Sequence, residues 1–341
     1  TFTGDYFIRN TEGMLADSYE LPGVFGAKTP DENCADLRTN GWELYLGWND
    51  SFALMGKRFN YTVSATLGDN KTVFTKFNNP EKNLSNHYEG KVLGEIWGYR
   101  VDGLFVSDEE AAEYTSKINQ DAVNERILTD KVDPYYRAGD LKFRDLDGDN
   151  VISKGDDTAY DAGDREIIGN ETPRYMYSFR LGADWNGFDL GIFFQGVGKR
   201  DWYPNYLSTG FWGPYSRAFT SFIPENFMDQ CWSEENRDGY FPRFRGYQTF
   251  AGSQLGVNND RYLQDASYIR LKNLTVGYTL PVLKKVFTKL RVYFTGENLW
   301  YWSPMLKHTK YIDPEAAGGN GNTGMAYNYS RNFSVGVDIT F

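Results

Sequence analysis

No run of about 18 apolar residues occurs anywhere in the 341-residue chain, so no helix of it is built to cross a bilayer. Strands could still cross one. Cysteine is nearly absent: Cys34 and Cys231 allow one intramolecular bridge at most, and their spacing carries no metal-binding pair. A disulfide and two reduced thiols both stay open. Histidine is equally scarce. His87 and His308 lie far apart, and there is no HExxH, no nucleophile-elbow serine and no Gly-Lys followed by Ser or Thr. These absences remove the common hydrolase and nucleotide-hydrolysing designs, and the chain is expected not to be an enzyme. Positive charge is also in deficit, with 36 Lys and Arg against 46 Asp and Glu and a net charge of -10. The basic residues are scattered, which excludes a nucleic-acid binder. The chain opens on Thr1-Phe2-Thr3, already strand-like, with no initiator Met or signal sequence, and reads as a fragment or processed product. What it has in abundance is 25 Tyr, 24 Phe, 9 Trp and 35 Gly, too much apolar area for a disordered chain.

Those aromatics fall into period-two alternation, the mark of strands with two unlike faces. From Tyr327 to Phe341 apolar residues alternate with Asn, Ser, Gly, Asp and Thr. The same pattern runs through Trp42 to Trp48, Phe59 to Leu67, Tyr175 to Trp185, Phe188 to Phe194 and Leu290 to Phe294, with a weaker strand at 2–15. Asn186-Gly187 is a hairpin turn. Over 266–280 the phase breaks near Asn273, which predicts a bulge. That makes eight strands, many longer than the roughly 5 or 6 residues usual in globular proteins. Their lengths suit tilted membrane-spanning strands of about 9 to 11 residues.

Connections sort by end. Turns at 50–57, 186–187 and 281–288 are short, whereas 16–37, 71–172, 199–265 and 303–326 are long. This asymmetry, with aromatics at strand ends (Trp42, Trp48, Trp185, Trp300, Tyr301, Trp302), predicts an all-β, antiparallel transmembrane β-barrel with long extracellular loops. The face carrying Glu43, Asn60, Thr62, Ser64, Arg180, Asp184, Gln195, Arg291 and Glu297 would line a wet interior. An antiparallel sandwich alternates in the same way, and alternation alone does not separate the two.

The loops carry the candidate chemistry. Asp145-Leu146-Asp147-Gly148-Asp149-Asn150-Val151-Ile152-Ser153-Lys154-Gly155-Asp156 resembles an EF-hand loop over 145–156. Its candidate ligands are Asp145, Asp147, Asp149, the Val151 carbonyl and Asp156, for calcium or alternatively magnesium in a structural role. Asn150 stands where Gly is usual and Asp156 where a bidentate Glu is usual, and an empty acidic turn is the other reading. Ser107 and Glu110 form a capping box for a helix over 107–129, expected to be a solvated decoration. In the 199–265 loop, Trp202, Tyr203, Trp212, Tyr215 and Trp232 are candidates for substrate or partner contact, or for holding the loop together. "GGNGNTG" at 318–324 reads as a flexible loop tip.

Several ordered motifs carry a family likeness. "YFIRNTEGML" at 6–15, "LRTNGWELYLGW" at 37–48, "LGEIWGYRVDGLF" at 93–105 and "GDLKFRDLDGDNVISKGD" at 139–156 resemble the C-terminal third of SusC/RagA-type TonB-dependent outer-membrane transporters. So do "REIIGNETPRYMYSFRLGADWNGFDLGIFFQGVG" at 165–198, "ASYIRLKNLTVGYTLP" at 266–281 and the terminal "FSVGVDITF". The resemblance implies that residues 1–341 are the C-terminal portion of a plugged barrel of about 22 strands in the bacterial outer membrane. It also implies a SusD-like surface lipoprotein as partner, TonB contact through an N-terminal part not in this sequence, and import of oligosaccharides or peptides. A different class stays in view: a surface carbohydrate-binding β protein with a structural calcium loop.

Overall fold

The computed structural model describes residues 1–17, 31–128, 134–217, 223, 225–245, 254–281, 288–317 and 328–341. Eight strands form one antiparallel sheet: β1 (Phe2–Asp17), β2 (Asp31–Leu54), β3 (Lys57–Lys76), β8 (Arg174–Trp185), β9 (Phe188–Lys199), β12 (Tyr268–Leu280), β13 (Lys289–Trp302) and β14 (Asn332–Thr340). Their order in space is their order in sequence. Among the described residues β1 and β14 are edges and do not pair with each other, so these strands do not close an eight-stranded barrel.

Register lines up an apolar row on one face across the eight strands. Leu46 lies beside Phe2 and Ala65, Ala65 beside Phe179, and Phe179 beside Phe194. After the bulge the row continues, with Val276 between Leu190 and Phe294 and Phe294 beside Val335. Among the described residues no element covers this face: Trp48 is 58% exposed, Phe333 65% and Val335 76%. The opposite face is polar. There Asn60 donates to Asp184 at 2.7 Å, the hydroxyls of Thr66 and Ser178 meet at 2.7 Å, and Arg291 bridges Asp189 and Asp338.

Both tight turns at one end are two residues long with left-handed backbone: Met55-Gly56 (φ 51° and 76°) and Asn186-Gly187 (φ 51° and 90°). This geometry matches the twist of a hairpin. The predicted turn over 50–57 thus narrows to two residues; residues 282–287 of the third turn lie outside the described residues. The bulge near Asn273 is present, as a register slip between Leu271 and Asn273 against both neighbours of β12. It restores the apolar phase, since Ile269 pairs Trp302 above it and Val276 pairs Phe294 below it. Tyr301, predicted with the interface aromatics, instead stacks on Arg270 on the polar side.

Two differences from the sequence reading stand out. At the long-loop end β1 reaches Asp17 and β2 starts at Asp31, so part of the stretch 16–37 is strand. Its residues are polar, and backbone ladders above an apolar band leave no hydropathy signal. The helix expected over 107–129 is two, α1 (Asp108–Thr115) and α2 (Asp121–Leu128). Between them Asn119 bridges to Val151, which pulls the chain out of the helix. The cap is as read, with Ser107 accepting from the Glu110 amide at 3.1 Å, though the Glu110 carboxylate returns to the Val106 amide at 2.6 Å. α1 is more than a solvated decoration: Ala111 is fully buried with Phe105 and Tyr136.

The buried core sits in the long connections. The described residues of 77–173 and 200–267, joined by 303–317, fold into one body containing the strands β4 (Glu95–Tyr99), β5 (Val101–Leu104), β6 (Leu141–Phe143), β7 (Arg165–Asn170), β10 (Asp201–Trp202) and β11 (Gln264–Asp265). Backbone bonds cross between segments, Tyr99 to Asn258 at 2.9 Å and Arg243 to Gly139 at 2.9 Å. Phe143, Trp212, Phe241, Tyr262 and Met305 meet in its centre. The glycine-rich stretch 318–324 lies outside the described residues.

Candidate functional site

The acidic loop folds on its own carboxylates. Asp145 accepts from the Gly148 amide at 2.7 Å and the Asn150 amide at 2.9 Å, Asp147 from Asp149 at 3.0 Å, and Asp149 from Val151 at 2.7 Å. Asn150 takes a left-handed conformation, φ 66°, where Gly was expected. The result gathers oxygens of Asp145, Asp147 and Asp149 within 4.8 Å of one another, a set that fits a hard cation. Asp156 is not part of this set and lies in an exposed turn, and Val151 engages the loop through its amide.

Sequence spacing missed Asp164, eight residues beyond the loop. Its two oxygens accept from the amides of Leu146 and Ser153, each at 2.7 Å, which clamps both ends of the acidic loop to one fully buried carboxylate. Burial pushes its pKa up, and the Asp147 and Asp145 charges push the same way against those two hydrogen bonds.

The five loop aromatics are placed mainly as packing. Trp202 (2% exposed), Trp212 (0%), Tyr215 (0%) and Trp232 (7%) are buried, the placement that fits holding the loop together. Trp212 spends its indole N–H on the carbonyls of Pro204 and Asn205 at 2.9 and 3.0 Å, and the Tyr215 hydroxyl donates to Pro242 at 2.5 Å. Trp232 packs over Gly139, with the Arg243 guanidinium 5.6 Å above its ring. Only Tyr203 of the five borders open space, on cavities of about 530 and 400 Å³, while its hydroxyl donates to Val257 at 3.0 Å. Such rings face inward because a long connection whose own sheet is only the short β10–β11 pair is held together by whatever apolar area it carries.

Cys34 and Cys231 are not joined to each other. The Cys231 thiol donates to the Phe227 carbonyl at 3.4 Å, and burial pushes its pKa up to about 11, as expected of an inert packing thiol.

Charged pairs inside the loop body were invisible to motif reading. Arg245 meets fully buried Asp140 at 2.6 Å, and Arg270 is buried against Asp313 with Glu315 Oε2 3.0 Å from its Nε. Lys272, the bulge residue, closes on Glu315 at 2.8 Å. The pairs of Arg270 and Lys272 fasten the loop body to β12 of the sheet, and the Arg245–Asp140 pair joins two segments within that body.

No family model matches the chain. It is 27% identical over 366 residues to TonB-dependent receptor P3 of Formosa agariphila, covering 99% of this chain and 32% of that protein. TonB-dependent receptor P26 of the same organism is 24% identical over 355 residues, again covering 99% and 32%. In fold the chain is similar to the RagAB peptide transporter, with a TM-score of 0.64 at 21% identity over all of this chain and 33% of that one. The RagAB peptide importer in its open-open state gives 0.63 at 20% identity. The chain therefore spans about a third of the length of the relatives it matches. Over its whole length the chain is thus similar in sequence to TonB-dependent receptors and in fold to a portion of the RagAB transporter, as one antiparallel sheet.

Proposed function

We propose that the chain supplies part of the wall and the external loops of an outer-membrane transporter that imports oligosaccharides or peptides. The observation that carries this reading is the apolar row across all eight strands on a face that none of the described elements covers. In water such a face is an aggregation hazard, whereas against lipid it is the surface a spanning barrel needs. At about 3.3 Å per residue, β2 with its 24 residues extends to roughly 80 Å, well past a hydrocarbon layer of about 30 Å. The polar upper portion of the strand then stands in the external medium beneath the loop body. The hydrogen-bonded polar face turns to a hydrated interior, and no bond is made or broken in this role.

In this reading a SusD-like lipoprotein sits over the loop body, and TonB engages a part of the transporter outside these residues. The likeness to RagAB, a peptide transporter, favours peptides as one cargo class. The acidic loop holds calcium as a structural ion, with Asp145, Asp147 and Asp149 as its side-chain ligands.

The test is purification from native membranes in mild detergent, with every co-purifying chain identified by mass spectrometry. Recovery with a plug-bearing portion of a transporter and a lipoprotein is the expected result. Release into buffer without detergent, as a monomer, would overturn the reading in favour of a surface binding protein.

A further inference from the structure

Where segment 225–241 meets segment 303–311, the loop body encloses a cavity of about 380 Å³. Its apolar lining is Phe211, Phe227 and the ring of Tyr240. Segment 225–241 contributes two negative charges, Asp229 and Asp238, and segment 303–311 contributes two positive ones, Lys307 and Lys310. Among the described residues none of these four side chains has a hydrogen-bond or ion-pair partner, and the acids stand beyond ion-pair reach of the lysines. Elsewhere in the same body charges pair readily, as at Arg245 and Asp140 or Lys272 and Glu315.

The two segments are held in place by contacts that leave the four charges out. His308 stacks face to face on Tyr240, with ring centroids 3.6 Å apart and 9° between planes, and its Nδ1 lies 3.4 Å from Gln230 Oε1. The Asn236 amide ties the carbonyls of Asp229 and Cys231 at 2.9 and 3.0 Å. Burial, with help from Lys307 and Arg261, lowers the His308 pKa to about 4, so its ring is neutral at pH 7. The cavity then presents two positive and two negative charges around an aromatic lining.

A ligand of one sign that pairs at either segment meets like charge at the other. A ligand carrying both signs satisfies both, and its connecting carbons cover the aromatic rings. We propose that this cavity binds a small zwitterion, a primary amine and a carboxylate joined by a short apolar spacer, with the ammonium at Asp229 and Asp238 and the carboxylate at Lys307 and Lys310. The inference does not depend on transport.

The experiment is a ligand-observed NMR titration of the full-length protein in detergent with γ-aminobutyrate and ε-aminocaproate. N-acetyl-ε-aminocaproate serves as the anion-only probe and ε-aminocaproamide as the cation-only probe. One of the two amino acids is expected to bind at least about tenfold more tightly than both single-charge probes, a preference weakened by high salt. The K307Q/K310Q variant should lose the preference for the free carboxylate, and D229N/D238N the preference for the free amine. All four side chains are exposed, so folding is not at stake, and the fourfold swap D229K/D238K/K307E/K310E should restore zwitterion binding. Equal binding of zwitterion and single-charge probes, unchanged binding in both double variants, or no saturable binding of either amino acid overturns the proposal.

Discussion

Arg270 on β12 and Asp313 in the segment after β13 form an ion pair in which each side chain is only 1% exposed. The guanidinium lies 4.7 Å from the Tyr301 ring and 5.1 Å from Tyr329, and Glu315 shares it with Lys272. Removing one partner of such a pair strands a buried charge. Arg270→Gln is expected to cost about 3–5 kcal/mol and to expose 303–317 to protease. The double replacement Arg270→Met with Asp313→Leu should recover much of that loss, because Lys272 and Glu315 still balance each other. Denaturant midpoints for the two variants in detergent check this.

The two hairpin glycines separate conformational strain from crowding. Both have left-handed backbone, but a Cβ on Gly56 meets nothing within 4 Å, whereas one on Gly187 comes 2.8 Å from the Thr279 carbonyl. Gly56→Ala should cost about 1 kcal/mol and Gly187→Ala at least about twice that. Equal losses in refolding midpoint would remove the steric part of the argument.

Calcium added to chelator-treated protein should protect 145–164 from proteolysis, with an apparent affinity on the order of 10⁻⁴ to 10⁻³ M, the range of extracellular modules. Asp147→Asn should weaken the effect. Asp156→Asn should leave it nearly unchanged, since Asp156 stands outside the three-carboxylate set. Protection that ignores Asp147 but requires Asp156 would restore the ligand set read from spacing alone.

Acid should loosen the contact between 225–241 and 303–311. The folded-state pKa of His308, about 4, lies below the ordinary value of 6.5, so the unfolded chain takes up the proton first. Its contribution is whole above pH 6.5, declines as pH falls from 6.5 to about 4, and amounts to no more than about 3 kcal/mol. His308→Gln should flatten stability against pH across that window. The charged groups around the ring are Lys307, Lys310, Arg261, Asp229 and Asp238, and a slope confined below pH 4 would point to the carboxylates instead.

The eight strands of the sheet were legible because each carries its apolar residues at a spacing of two across the same band, and even the phase break at Asn273 left a trace in the order of Ile269, Leu271, Leu274 and Val276. The upper portion of β2 was not, since Asp31 to Asp36 pair through backbone and their side chains say nothing about a face. In the loops, spacing found Asp145, Asp147 and Asp149 because they are adjacent in sequence. It missed Asp164, Asp140 and Asp313, whose partners come from 18, 105 and 43 residues away. For Trp212 and Tyr215 the residue type was informative and the role was not, because stacking on cargo and packing in a core ask for the same ring.

The open order of the sheet bears on how such a wall reaches its place. Among the described residues β1 offers 16 residues and β14 nine whose outer N–H and C=O groups join no ladder. Water can serve those groups, but hydrocarbon cannot, and each left unserved there costs several kcal/mol. In the membrane setting proposed above, the outer edges of β1 and β14 would need ladder partners, because backbone groups in hydrocarbon are served only by other backbone.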